Sequence, residues 1–212
     1  METQERAGKI LVLLLKHYAS PKTVLNFKTP FQLLVSVILS AQCTDKRVNI
    51  VTKELFKKYN APKDFAAADV KALEQAIRST GFYRNKAKNI MGASKAIIEN
   101  FNGKVPSTME ELITLPGVAR KTANVVLSAV FGKNEGIAID THCIRLTQRW
   151  KLTKNKDPVK IEQDMMKIIP REYWAKFSFA TVLHGRQICF ARKPNCAGCF
   201  INRICPSAFK MR

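Results

Sequence analysis

Apolar residues recur three and four positions apart along most of this chain, and the punctuation between the runs is that of helices. Leu33, Leu34, Val37, Ile38 and Ala41 share one face behind TPFQ at 29–32, which reads as a capping box with Pro30 at the first helical position. A second helix begins near Asp45 and carries Val48, Val51, Leu55 and Phe56. STME at 107–110 reads as another capping box, opening a short helix. Asp157 and Pro158 start a further helix that ends before Pro170. The one strand candidate, 137–139, has three residues. No repeat or low-complexity tract interrupts the pattern, and composition alone places no domain boundary. The pattern predicts an all-helical fold.

LPGVARKTANVVLSAVFG at 115–132 breaks the routine. Pro116 and Gly117 make a tight turn, and a helix runs from about Arg120 to Gly132. Ala123, Val126, Leu127, Val130 and Phe131 form its apolar face, with Lys121, Asn124 and Ser128 opposite. A turn of this kind before a helix start, the pattern of a helix-hairpin-helix, directs backbone N–H groups outward, where they can hold a phosphate. Lys121 sits in the first turn, where the helix dipole disfavours a cation. Contact with phosphate is one reason to place it there. Nucleophilic catalysis is another. A nucleophilic amine must be neutral, which asks for a pKa of about 7–8 rather than about 10.4. That difference is roughly 3–4 kcal/mol, of which a helix N-terminus supplies at most about 2. Burial or the neighbouring Arg120 is expected to supply the rest. Downstream, in GIAIDTHCIRLTQRW, Asp140 precedes a helical stretch and reads as its N-cap. A capping carboxylate is held in place and is also available to a substrate.

Charge narrows the partners. The net charge is +20 with a pI near 10.0, which points to a polyanion, either nucleic acid or an anionic membrane surface. The longest early apolar run, 10–15, ends at Lys16, far short of the roughly 20 residues a membrane span needs. METQERAGK at the start lacks the features of a secretory signal, so the expected compartment is the cytoplasm, where disulfides are rare.

Four of the six cysteines then take on meaning. Cys189, Cys196, Cys199 and Cys205 follow a C-x6-C-x2-C-x5-C spacing, suited to a zinc site or to a [4Fe–4S] cluster. Spacing rules do not choose between the two. From 186 to 212 there are six basic residues (Arg186, Arg192, Lys193, Arg203, Lys210 and Arg212) and no acidic one, around a site that four thiolates make dianionic with either metal. Arg192 and Lys193, inside the first cysteine loop, are candidates for phosphate contact or for balancing that charge. Cys43 and Cys143 read as small core residues.

LPGVARKTANVVL, IAIDTH and the cysteine set, in this order and spacing, closely resemble the endonuclease III family of DNA glycosylase/AP lyases, in the helix-hairpin-helix superfamily. FQLLVSVILSAQCTDKRVN and GFYRNKAKNI extend the resemblance over nearly the whole chain. It implies two all-helical domains with the active site in the cleft between them. Residues 22–133 would form a six-helix barrel containing the hairpin, and 1–21 with 134–212 an iron–sulfur domain. It implies a [4Fe–4S] cluster on the four cysteines, Lys121 as nucleophile and Asp140 as the essential carboxylate, acting by electrostatics or by proton transfer. DNA contacts fall to Gly117, Val118, Ala119 and Arg120 of the hairpin. Gln42 matches a residue that fills the gap left by a flipped nucleotide, and Phe82 a second wedge, unless Phe82 is core. His142 is a further contact or a hydrogen-bonding residue beside Asp140. The hairpin often reads L-P-G-V-G, so Ala119 tests whether that backbone must reach positive φ.

The expected activity is release of oxidised pyrimidines and cleavage 3′ to the abasic site by β-elimination through a lysine Schiff base. The expected partner is double-stranded DNA with damaged pyrimidines or abasic sites, bound by a monomer in the cytoplasm, at the nucleoid in a prokaryote. Two rivals stand beside this. Mismatch-specific relatives typically lack the lysine, and adenine-removing ones carry a further C-terminal domain, which a chain ending seven residues after Cys205 lacks. A non-catalytic iron–sulfur redox sensor that binds DNA accounts for the charge and cysteines but not for Lys121 with Asp140.

Overall fold

The computed structural model describes residues 1–210, so Arg212 lies outside the described residues. Its helices, in chain order, are α1 (Thr3–His17), α2 (Pro30–Leu39), α3 (Asp45–Lys58), α4 (Pro62–Ala66), α5 (Val70–Ile77) and α6 (Tyr83–Phe101). After these come α7 (Met109–Leu112), α8 (Arg120–Phe131), α9 (Thr141–Arg149), α10 (Pro158–Ile168) and α11 (Trp174–Gln187). No strand forms among the described residues. Residues 137–139 are buried without strand pairing, in keeping with their short length.

The chain forms two compact units, Val24–Lys133 and a second assembled from Met1–Thr23 with Asn134–Arg212. In the first, the apolar stripes of α2, α5, α6 and α8 converge on Leu33, Leu34, Leu39, Leu73, Ile90, Ile97 and Leu127, all nearly inaccessible to water. Each such aliphatic side chain contributes about 1.5–3 kcal/mol on burial. The second unit packs α1 and α9 against α11, around Ile10, Leu14, Trp150 and Phe177.

The caps sit close to where the sequence places them, with two shifts. Thr29 caps α2 by accepting from the Gln32 amide at 3.2 Å, but the Gln32 side chain accepts from the Lys28 N–H rather than from that of Thr29. The short helix α7 is capped by Thr108, one residue later than the STME reading, and Glu111 takes the partner role. Thr44 and Asp157 cap α3 and α10. Asn124 departs from its predicted place on the polar face of α8: it is buried beside Ala123, because α8 packs against α2 over a wider arc than its apolar residues alone mark.

Candidate functional site

In the first unit, residues 113–119 connect α7 to α8 as a hairpin. Leu115 and Val118 anchor it in the core, so Val118 serves the hairpin from inside. Gly117 has φ of +77°, and a Cβ there would lie 2.7 Å from the Asn89 Cβ of α6. Glycine is therefore required twice over, by conformation and by space. Gly92, one turn further along α6, leaves the space that Pro116 occupies. Ala119 is the N-cap of α8 at φ −91°, an extended conformation open to any residue, so the departure from L-P-G-V-G brings no backbone strain. Ala119 supplies no side-chain cap to α8, and an uncapped helix start behind a hairpin is a place where an anion can bind.

Arg120 and Lys121 are exposed in that first turn. A neutral amine here is expected to need burial or the neighbouring Arg120. The structure instead leaves Lys121 in water, because α8 begins at the surface and only turns inward at Ala123.

Two other segments of this unit share an unusual geometry. Gln42, three residues past the end of α2, has φ of +51°, and Phe82, the residue before α6, has φ of +48°. Both side chains are exposed; Phe82 is 63 % accessible, which excludes core packing. Non-glycine residues held in the left-handed region cost on the order of 1–3 kcal/mol each and persist only where their surroundings impose them.

In the second unit, Asp140 caps α9. Its Oδ1 accepts from the backbone N–H of His142 at 2.8 Å and of Cys143 at 2.9 Å. Its Oδ2 lies 3.0 Å from the His142 Nδ1, so His142 steadies the carboxylate from the side. Asp140 stays partly open, with 18 % of its side chain accessible. Gly185 of α11 keeps this end of α9 close: a Cβ there would meet the His142 ring and the Arg145 guanidinium at 2.9 Å. Cys143 is core, as predicted; Cys43 is half-buried at the edge of the other core.

Cys189, Cys196, Cys199 and Cys205 line one cavity with Trp150, His184 and Asn202. No group of three or more His, Cys, Asp or Glu among the described residues converges tightly enough for a single metal ion. Burial pushes the Cys199 thiol up to about 11 and also raises Cys205, with the neighbouring thiols adding to both. Four thiolates gathered there therefore call for a positive centre, and that donor set fits an iron–sulfur cluster. The loop is pinned by residues that the sequence reading passed over. Arg149 donates to the Phe190 carbonyl at 2.6 Å, the Ala191 carbonyl at 2.8 Å and the Cys189 Sγ at 3.2 Å. Arg145 donates to the carbonyls of Gly185 and Cys189. Their signal was available as two arginines one helical turn apart on α9, facing the same way. Arg192 and Lys193 are exposed at the loop tip, where Lys193 has φ of +49°.

Comparison with known proteins adds the following. A model of the HhH-GPD superfamily of base excision DNA repair proteins matches residues 35–171. Endonuclease III of Synechocystis sp. is 54% identical over 205 residues, spanning 97% of this chain and 94% of that protein. Endonuclease III of Bacillus subtilis is 48% identical, over 83% of this chain and 80% of that protein. The solved structure of a trapped covalent endonuclease III–DNA intermediate is 42% identical, with a TM-score of 0.94 over 99% of both chains. A thermostable thymine-DNA glycosylase shares the fold at a TM-score of 0.87, with 20% identity.

Proposed function

Because the chain belongs to the endonuclease III family of HhH-GPD base excision repair proteins, we propose that Lys121 is the nucleophile through which it opens damaged nucleotides. The protein is a DNA glycosylase and AP lyase of base excision repair, and it binds DNA. The observation that carries the role of Lys121 is its placement: an exposed amine in the first turn of α8, whose N-terminal amides follow the hairpin and receive no side-chain cap from Ala119. Phosphate held by those amides and by Arg120 brings the adjacent sugar to the amine.

Lys121 Nζ, as the neutral amine, attacks C1′ of a flipped, oxidised pyrimidine nucleotide. The C1′–N bond breaks, and the base leaves with the electron pair and takes up a proton. Ring opening gives the Schiff base. Loss of a C2′ proton then expels the 3′ phosphate by β-elimination, and water releases the lysine. Asp140, with Oδ1 held by two amides and Oδ2 beside His142, is suited to face the positive charge that develops on the sugar. Gln42 and Phe82 fill the space that the flipped nucleotide leaves and stack on the bases that remain. Cys189, Cys196, Cys199 and Cys205 would hold a [4Fe–4S] cluster, which fixes the loop bearing Arg192 and Lys193. The substrate is duplex DNA with damaged pyrimidines or abasic sites, met by a monomer wherever the chromosome lies.

Borohydride reduction in the presence of abasic-site DNA tests the nucleophile. The wild type gives a covalent complex, and Lys121→Gln gives none. Equal trapping by the variant would assign the chemistry to another amine.

A further inference from the structure

Lys86 lies one turn into α6, on the same face as the apolar residues Ile90, Ala93 and Ile97. It is 4 % exposed. Its Nζ donates to the Leu39 carbonyl at 2.8 Å and to the Thr80 carbonyl at 2.8 Å. No carboxylate is among these partners. Leu39 is the last residue of α2, and Thr80 ends a 3-10 turn, Arg78–Thr80, so the ammonium caps the negative ends of two helical segments at once. Burial pulls its pKa below the ordinary lysine range, with the Cys43 thiol opposing.

Those two carbonyls have telling neighbours. Gln42 follows Leu39 by three residues, and Phe82 follows Thr80 by two. Both are exposed side chains on left-handed backbone. Strain of that kind needs an internal constraint, and Lys86 is bonded to the base of each segment. We propose that Lys86 is a positioning residue: its buried ammonium ties the segment bearing Gln42 to the segment bearing Phe82, and so presents both to the duplex as one rigid two-pronged element. The inference rests on the wedge reading of Gln42 and Phe82 given above. A lysine is suited to the task because three donors on one atom can serve carbonyls from different segments, and a four-carbon stem reaches them through apolar packing.

The test uses Lys86→Met, which keeps the stem and removes the donors. Lys86→Gln, which keeps a donor for one carbonyl, is a second variant should the first fail to fold. Two substrates separate positioning from chemistry: a duplex with one thymine glycol, which must be opened and filled, and a single strand with an abasic site, which presents nothing to fill. Single-turnover cleavage of the duplex falls at least about tenfold in Lys86→Met and by less in Lys86→Gln. Borohydride trapping on the single strand stays near the wild-type level. In a Gln42→Ala/Phe82→Ala background, Lys86→Met adds no further loss. If Lys86→Met cleaves the duplex at the wild-type rate, loses both substrates equally, or multiplies the loss in the double-alanine background, the clamp is overturned while the wedges stand. If the double-alanine variant itself cleaves the duplex like the wild type, the wedge reading falls and the clamp with it.

Discussion

Asp140 caps α9 with one oxygen, and the role in chemistry proposed above falls to the same carboxylate. The catalytic role rests on the family resemblance, whereas the cap was legible in the sequence itself, because an aspartate before THCIRL is a recognisable N-cap. Its second oxygen was not, since the approach of His142 depends on how α9 meets Gly185. The two roles separate by substitution. Asp140→Asn keeps an equally good cap, so stability changes by less than about 0.5 kcal/mol, whereas cleavage of a thymine-glycol duplex falls by about 10²–10³ with the charge. Asp140→Ala loses the cap as well and unfolds at lower denaturant, by about 1 kcal/mol. Denaturant midpoints beside single-turnover rates check both, and an active Asn variant would remove the electrostatic role. Lys121 teaches the opposite lesson. Spacing picked it out, but how buried it is depends on where α8 leaves the surface, which no local pattern encodes.

Among the elements, α6 organises the most. It carries Phe82 before its first turn, Lys86 one turn in, and Asn89 and Gly92 beneath the hairpin. Its sequence advertises little of this: a lysine in an apolar stripe looks like a lapse in periodicity until its two carbonyl partners are seen. α1 was hidden for a different reason. In ILVLLL the apolar residues run without a gap, and only the fold shows that Ile10, Leu11 and Leu14 face inward while Val12 faces water. α2, α3 and α10, each opened by a capping side chain, and α8, with its apolar stripe behind the Pro116–Gly117 turn, could be read directly. The cysteine loop depends on α9 through Arg149. With Arg149→Met, three hydrogen bonds to that loop disappear. Removal of partners next to a metal site typically weakens retention by 10–100-fold, so the variant should lose iron to a chelator about 10–100-fold faster at unchanged helix content. Bleaching of the brown chromophore, alongside circular dichroism, measures this. An unchanged rate would mean that the guanidinium does not hold the loop.

Across the molecule, a net charge of +20 dominates the approach to DNA. If about five phosphates are neutralised, log affinity falls with log salt at a slope near −4.5, about 0.9 per contact. Joint replacement of Arg192 and Lys193 by Ala should make that slope shallower by about 1.8, read from fluorescence anisotropy over a salt series. No change would return both side chains to balancing the charge of the thiolates. The total charge was plain in the sequence; which cations reach phosphate was not, because that depends on a loop held from below.

The second unit draws on both ends of the chain, with α1 packed against α10 and α11. During synthesis, α1 therefore leaves the ribosome well before its partners. Roughly 160 residues separate it from α11, about 10–30 s of translation at 5–20 residues per second. Over that interval the segment 24–133 can fold, while Ile10, Leu11 and Leu14 stay open to solvent or to a chaperone. The four thiols emerge later still, so the proposed cluster can be loaded only after the segment 24–133 has been made.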